Sequence, residues 1–484
     1  MNMSEGAINQ LIANNPRGLV ARAFNFAQRI HSGQKRKTGE PYFNHLLETA
    51  ETLISWKLDE VTIAAGLLHD SIEDAGVSLD ALRKEFGEEV AFIVDGVSKI
   101  SRVKYRGVKS KAENMRKLIL ALAQDLRVIF VRLADRLHNM KTLFALPPQK
   151  QKRIALETDE IYAPLAYRLG MQQVSGELQD LAFPYLFPEE YKRLDKLVPA
   201  KYEERLNYLE RIKPEIETLL REGGISSFEI NFRAKRYRSI YKKLVTHDWD
   251  IDQIYDLAAV RVIVKTVADC YAALGIIHEK WPPLPGRIKD YIAMPKPNGY
   301  KSLHTTVIGP QEKIVEFQIR TREMHEEDEL GIAAHWLYQQ AKNGEKVAPR
   351  RLTKEIKWVQ QMRDWQETFK RESGTAADFI QAMKIDFLKD RIFVITPAGD
   401  VIDLPAGSTP VDFAYHIHSE IGNSAIGARV NGKIAPLDAE LKSGDMVEIL
   451  TQKNKKPSEK WLKFVKTAMA RHYIKSALKI KKKS

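Results

Sequence analysis

The chain has 484 residues, 44% of them hydrophobic and 29% charged, with a formal net charge of +13. That length exceeds one ordinary core and predicts roughly three to four folded units, and without a run near the ~18 apolar residues of a membrane span it reads as soluble, with no membrane partner. Residues 453–484 hold twelve Lys/Arg against one acid, Glu459, and the rest carries 64 basic against 62 acidic residues, which excludes a globally basic nucleic-acid binder.

The N-terminus, MNMSEGAINQLIANN, lacks the basic start and apolar stretch of a secretory signal, so a cytoplasmic enzyme is expected. Before Pro147 the prolines are Pro16 and Pro41, and VTIAAGLLHDSIEDA and KAENMRKLILALAQDLRVIFVRLADRLHNM carry helical spacing, so the first third reads as all-helical. Helical text continues through KYEERLNYLERIKPEIETLLREGG, where Gly223-Gly224 stops it. SFEINFRAKRY, LAAVRVIVKT and KIVEFQIRT then read as strands, with helices at RSIYKKLVTH, DCYAALGIIHEKW and Met324 to Gln340, which makes a mixed α/β domain. Cys270, the single cysteine, sits in the apolar run VADCYAALGII and reads as buried packing; it excludes an internal disulfide or a multi-cysteine zinc site.

A polar linker helix or two follows over 346–387. RIFVITPAGDVIDLP reads as a hairpin turning at Pro397 to Asp400, TPVDFAYHIHSEIG as a helix, and ARVNGKIAPL as a second hairpin on Asn431-Gly432, giving the ββαββ order of a small β-grasp unit over 388–452. The basic tail, 453–484, reads as a solvated helix or a polyanion-binding segment.

Chemistry concentrates in two places. In AAGLLHDSIEDA, His69 and Glu73 lie four residues apart, as do Asp70 and Asp74, so each pair is expected on one helical face. His45, after the Pro41 turn, and Asp135 would complete a His, His, Asp, Asp set around a divalent metal, a donor mixture that suits manganese, iron or zinc better than calcium. Glu73 and Asp74 would orient or deprotonate a bound water, and Lys35, Arg36 and Lys37 precede His45 where they could neutralise a polyphosphate.

The second place begins at FRAKRYRSIYKKL, a strand-to-helix passage with Arg233, Lys235, Arg236, Arg238, Lys242 and Lys243, where helix N-terminal amides also favour phosphate. It has neither a Walker pattern nor GxGxxG. Strict alternation in KIVEFQIRT puts Val315, Phe317 and Ile319 on one face and Glu316, Gln318 and Arg320 on the other, so Glu316 can join Asp256 in holding Mg2+. GRIKDYIAMPKPNGYKSLHTTV exposes Lys289, Lys296, Asn298, Tyr300, Lys301 and His304, and Tyr300 is a candidate to stack on a purine.

The first set resembles the HD superfamily of metal-dependent phosphohydrolases, whose adjacent pair is His69-Asp70 here, and the resemblance implies the ligands His45, His69, Asp70 and Asp135 with Mn2+. YIAMPKPNGYKSLHTTV, EFQIRT and GIAAHWLY resemble the alarmone synthetase domain of RelA/SpoT homologues, and with a TGS-like β-grasp module the family's order runs over roughly residues 20 to 455. The implied organisation is multidomain α+β: an HD-type domain (1–195), a nucleotidyltransferase-like synthetase domain (196–345), the linker, the TGS-like unit and the tail. Residue by residue, it implies Arg233, Lys235 and Lys243 on the ATP phosphates, with Arg261 in support; Asp256 and Glu316 on Mg2+; Tyr300 under guanine; and Lys289, Lys296, Asn298, His304 and Gln318 around the acceptor nucleotide. Glu316 would also accept the 3′-hydroxyl proton. Ala234 and Arg236 depart from the Pro and His common in the basic loop.

Arg287-Ile288-Lys289-Asp290 matches the basic loop of the family's bifunctional members, and the His/Asp set is complete, so both synthesis of (p)ppGpp from ATP and GDP or GTP and its hydrolysis are expected, with some coupling between the sites. The competing readings are a hydrolase with a weak synthetase half, and a non-catalytic nucleotide-responsive ribosome-associated protein. Ribosome or tRNA contact would run through the TGS-like unit and the tail.

Overall fold

The computed structural model describes residues 6–101, 117–118, 121, 124–296, 298–333 and 391–478. The expected linker over 346–387, GIAAHWLY beyond Ala333, the middle of the helical text between 102 and 123, and the last lysines lie outside the described residues. The described parts of 1–97 and 130–348 form one compact unit, and those of 98–129 and 349–484 a second. No described helix is long and apolar enough to cross a membrane.

The start of the first unit is helical, as its spacing predicts. Asp59 caps the helix Glu60–Leu68 by accepting from the Thr62 amide at 2.7 Å. This helix is buried on every side from Thr62 to Leu68, and its small residues permit close packing. At Gly66 an added Cβ would come within 2.4 Å of Leu53 Cδ1, so this glycine lets the helix Tyr42–Ser55 lie against it. The helix ends at Leu68, before the His-Asp pair, and does not run on through Asp74 as the spacing suggests. His69 Nδ1 is bonded to the Gly66 carbonyl at 2.7 Å and Ser71 Oγ donates to the Leu68 carbonyl at 2.6 Å, so side chains take the terminal acceptors. One further turn survives, closed by the Asp74 amide on the Asp70 carbonyl.

The helix Pro188–Glu222 runs unbroken through the expected boundary at 195/196. Its Tyr208, Leu209, Ile212, Ile216 and Leu220 pack on a five-stranded sheet together with Cys270, Ala273 and Ile277 of the helix Val267–Lys280. The strands are β1 (Phe228–Ala234), β2 (Ala258–Val264), β3 (Lys289–Asp290), β4 (Leu303–Ile308) and β5 (Ile314–Thr321), in the order β1-β2-β5-β4-β3. β2 and β5 are parallel and the other pairs antiparallel. Val315, Phe317 and Ile319 enter the core as the alternation predicts.

In the second unit β6 (Arg391–Ile395) pairs with β7 (Val401–Pro405), and β8 (Ala425–Val430) lies between β10 (Val447–Thr451) and β9 (Lys433–Ala435). Asn431 and Gly432 both take positive φ, the tight turn their identities favour. Two corrections follow: β10 adds a fifth strand to the expected ββαββ, and the helix breaks at the extended His418 into Pro410–Ile417 and Ser419–Ser424. Nor is the start of the basic tail a free helix. Trp461, Val465, Ala470 and Ile474 join the core with Val411 and Tyr415. The buried Asp412 accepts from the amides of Lys466 and Thr467 at 2.8 to 3.1 Å, tying residues 466–467 to the helix Pro410–Ile417.

Candidate functional site

Two centres form within the first unit. In the helical part, His45 lies in the first turn of Tyr42–Ser55, His69 and Asp70 follow Leu68, and Asp135 comes from the helix Leu126–Lys141. His45 Nε2 is 3.6 Å from Asp70 Oδ2 and 3.3 Å from Asp135 Oδ1; His69 Nε2 is 3.1 and 3.8 Å from the same oxygens. Ligand atoms of His45, His69 and Asp70 all lie within 4.8 Å of one another. His69 Nε2 is buried without a hydrogen-bond partner, and two imidazoles facing two carboxylates are a donor set that fits a divalent cation.

Neighbours orient these groups. His138 Nδ1 is 2.8 Å from His45 Nδ1, Asn139 donates to Asp135 Oδ1 at 2.5 Å, and Arg132 donates to Asp135 Oδ2 at 2.6 Å. Burial works to raise the Asp135 carboxyl, but Arg132, His45 and His69 hold it well below its usual value. Burial likewise works to lower His69, and Asp70 and Asp135 override it and raise the imidazole. The Tyr42 hydroxyl lies 2.7 Å from Asp70 Oδ2 and 2.6 Å from Asp74 Oδ2, so its single proton bridges them alternately. Burial and both carboxylates push its pKa up and keep that proton in place.

Of the expected polyphosphate cluster, Arg36 reaches the site, donating to Asn139 Oδ1 at 2.5 Å, whereas Lys35 and Lys37 are exposed. Glu73 is exposed beside Asp74. Sequence reasoning missed Tyr42, Arg132, His138 and Asn139. Three of them carry a spacing signal: Tyr42 precedes His45, and Arg132 precedes Asp135, by three residues, while Asn139 follows Asp135 by four, so each shares the helical face of a candidate ligand.

The second centre covers the other face of the sheet. Register aligns Asn231, Arg261, Gln318, His304 and Lys289 in one row across β1, β2, β5, β4 and β3. The adjacent row holds Arg233, Ala259, Glu316 and Thr306. Arg233 donates to Gln318 Oε1 at 3.3 Å, Gln318 donates to Glu316 Oε1 at 3.0 Å, and His304 Nδ1 lies 3.4 Å from that same oxygen. Burial works to raise Glu316, but His304 and Gln318 hold it below its usual value.

Asp256, just before β2, takes Lys235 and Lys243 on Oδ2, the latter at 2.7 Å. Its Oδ1 is buried and unpartnered, which with Glu316 nearby fits a hard cation. The amides expected to favour phosphate are engaged: Asp180 Oδ1 accepts from the Arg238 amide at 3.0 Å at the start of the helix Tyr237–Thr246. Arg236 also points away, donating to the carbonyl and side chain of Gln173 at 3.0 and 2.8 Å.

Tyr300 is only 4% exposed. The Lys296 ammonium lies 4.6 Å and the Arg320 guanidinium 5.2 Å from its ring centroid, and its hydroxyl is 2.6 Å from His304 Nε2. Stacking a base on it therefore requires neighbouring side chains to move. Asn298 accepts from the Tyr300 amide at 3.3 Å and keeps a buried, unpartnered Nδ2. Arg261 has an unpartnered Nε and lies 3.9 Å from Glu329, and Lys289 is exposed.

Arg320, read as a strand-face charge, is fully buried and donates to Asp328 at 2.5 Å. Removing one member of such a pair strands the other, so Arg320→Met is expected to cost about 3–5 kcal/mol in urea unfolding; a loss below about 1 kcal/mol would contradict that role.

Comparison with known proteins gives three domain matches: the HD domain over 23–172, the region found in RelA/SpoT proteins over 232–343, and the TGS domain over 392–451. A Synechocystis protein named as a probable guanosine-3′,5′-bis(diphosphate) 3′-pyrophosphohydrolase is 46% identical over 96% of this chain and 61% of its own. A Streptomyces coelicolor GTP pyrophosphokinase is 47% identical over 94% of this chain and 55% of its own. A Mycobacterium tuberculosis bifunctional (p)ppGpp synthase/hydrolase is 45% identical over 94% and 62%. The chain thus spans 55 to 62% of the length of these relatives.

Proposed function

The chain belongs to the RelA/SpoT family, and from that premise we propose that it both makes and hydrolyses (p)ppGpp: it transfers pyrophosphate from ATP to the 3′-hydroxyl of GDP or GTP, and returns the product to GDP or GTP plus pyrophosphate. The observation that carries this reading is the presence in one unit of both centres, the His/Asp set and the polar rows across the sheet, where Glu316 lies near Asp256.

For hydrolysis, His45, His69, Asp70 and Asp135 hold the metal, proposed as Mn2+. When bound, it supplies a nucleophilic hydroxide at neutral pH and polarises a phosphoryl oxygen. Arg36 neutralises the pyrophosphate, with Lys35 beside it. Asp74, linked to Asp70 through the Tyr42 hydroxyl, takes the water's proton, and Glu73 assists in orienting it. Tyr42 keeps the two carboxylates at a fixed separation while that proton moves.

For synthesis, Asp256 and Glu316 would hold Mg2+, which would supply positive charge to the phosphates. Lys235 and Lys243 exchange Asp256 for the ATP phosphates, with Arg233 and Arg261 beside them. Glu316, held ionised by His304 and Gln318, accepts the 3′-hydroxyl proton. Lys289, Lys296, Asn298 and His304 position the acceptor nucleotide, and Tyr300 receives its base once Lys296 turns to phosphate. The 3′-oxygen forms a bond to the β-phosphorus of ATP, and AMP leaves. Ribosome or tRNA contact through the TGS domain and the basic tail is proposed on the tail's charge alone.

Incubation of the purified chain with ATP and GDP is expected to release AMP, and incubation with guanosine tetraphosphate and Mn2+ to release pyrophosphate. AMP absent with pyrophosphate present would leave the hydrolase reading; neither product would leave the nucleotide-responsive binding protein. Burial, against the pull of Asp328, brings Lys296 down to about 8. Its charge is present below that value and lost above it, so the KM for GDP is expected to rise from pH 7 to 9, and to become pH-independent over that range in Lys296→Met.

A further inference from the structure

Two arginines of the basic loop contact the helical part of the chain. Arg236 and Arg238 flank the start of the helix Tyr237–Thr246, and that helix has no side-chain cap from its own N-cap residue. Its cap comes from elsewhere: Asp180, in the helix Gln172–Leu186, accepts from the Arg238 amide at 3.0 Å, and its other oxygen lies 3.6 Å from Arg236 Nη1. Gln173, Gly176 and Asp180 follow a three- and four-residue spacing and so form one stripe of that helix. Gln173 takes the Arg236 guanidinium on its carbonyl and its side chain. At Gly176 a Cβ would come within 2.4 Å of Arg236 Cδ and Nε, so the missing side chain is the space that Arg236 fills.

Arg238 makes a second attachment. Its guanidinium lies 3.6 Å from Asp159 Oδ2 and 4.4 Å from the Phe187 ring centroid. Asp159 belongs to Thr158–Tyr162, a π-helical turn, an irregularity frequent at functional positions. From the same short segment Lys235 and Lys243 reach Asp256.

We propose that Arg236 and Arg238 are positioning residues: bound to Asp180, Gln173 and Asp159 on the helical side, they fix the loop that offers Lys235 and Lys243 to the triphosphate donor. The affinity of synthesis for ATP is then set by helices outside the nucleotide site. The ATP part of this inference rests on the proposed synthetase activity; the anchoring of the loop does not. Burial holds the Asp180 and Asp159 carboxyls above their usual values, although the Arg238 amide and the Arg236 guanidinium pull Asp180 down and Arg238 pulls Asp159 down.

The test is Asp180→Asn in the full chain, with Gly176→Val as a second variant that evicts Arg236 without touching a charge. Without nucleotide, amide hydrogen exchange over residues 233–243 is expected to quicken about tenfold in both variants while β2 and β5 stay unchanged. In synthesis the KM for ATP is expected to rise about tenfold, with kcat and the KM for GDP within about twofold, and Asp180→Glu to recover most of the loss. Unchanged exchange and KM for ATP in both variants would overturn the proposal. So would quickened exchange across the whole sheet with a matching fall in thermal midpoint, the mark of a purely structural contact. If the wild-type chain makes no AMP, the proposed synthetase activity fails, and the exchange measurement still decides whether the loop is anchored this way.

Discussion

Asp70→Asn is expected to lower pyrophosphate release from guanosine tetraphosphate by on the order of 10³-fold at saturating Mn2+, while AMP formation from ATP and GDP stays within about twofold. Asp70 Oδ2 faces both imidazole Nε2 atoms, at 3.1 and 3.6 Å, and receives the Tyr42 hydroxyl at 2.7 Å. His45 and His69 hold the Asp70 carboxyl below its usual value against burial and the neighbouring Asp135. Asparagine keeps the shape but removes the charge a cation needs, and it can place amide N–H groups where the carboxylate oxygen now faces the Nε2 atoms of His69 and His45. The loss should therefore appear in metal content as well as rate. Hydrolysis within about tenfold of wild type at saturating metal would rule out Asp70 as a ligand.

The separation of the two activities in that experiment follows from how the chain is laid out, and only part of that layout can be read from sequence. The alternation in KIVEFQIRT correctly divides Phe317 from Glu316 because a strand has a fixed period of two. It does not say that Arg261, Gln318, His304 and Lys289 form one row, because that depends on the parallel pairing of β2 with β5, some fifty residues apart, and on the register of β4. Nor does it say that Arg320 is buried, since Asp328, which pairs with it, lies on the next helix.

The His-Asp helix fails for a different reason. LLHDSIEDA retains helical propensity, yet the His69 and Ser71 side chains compete for the last carbonyls and end the helix before the His-Asp pair. The convergence of His45, His69 and Asp70 did not depend on that helix, because the residue types carried the expectation. The tail was misread because twelve basic residues masked Trp461, Val465 and Ile474, whose apolar side chains pack on the TGS unit while the basic residues among the described part of the tail are exposed. In the basic loop, the two arginines that looked like surplus phosphate ligands turn toward acids outside the sheet, which leaves Lys235 and Lys243 as the pair on Asp256.

The complementary variant, Glu316→Gln, is expected to reduce AMP formation by on the order of 10³-fold and to leave pyrophosphate release within about twofold. Glu316 has two roles in the proposed synthesis, as a Mg2+ ligand and as the acceptor of the 3′-hydroxyl proton, and glutamine can perform neither well. The fold gives it little other work: its Oε1 contacts are with Gln318 and His304, both site residues, and it takes no part in the apolar core beneath β5. Thermal stability should therefore be nearly unchanged. Asp256→Asn separates the two roles. It removes a proposed Mg2+ ligand and the partner of Lys235 and Lys243 but leaves Glu316 available as base, so raised Mg2+ should recover more activity in Asp256→Asn than in Glu316→Gln. Equal recovery would assign Glu316 to the metal alone, and retention of synthesis by Glu316→Gln would remove it from the reaction.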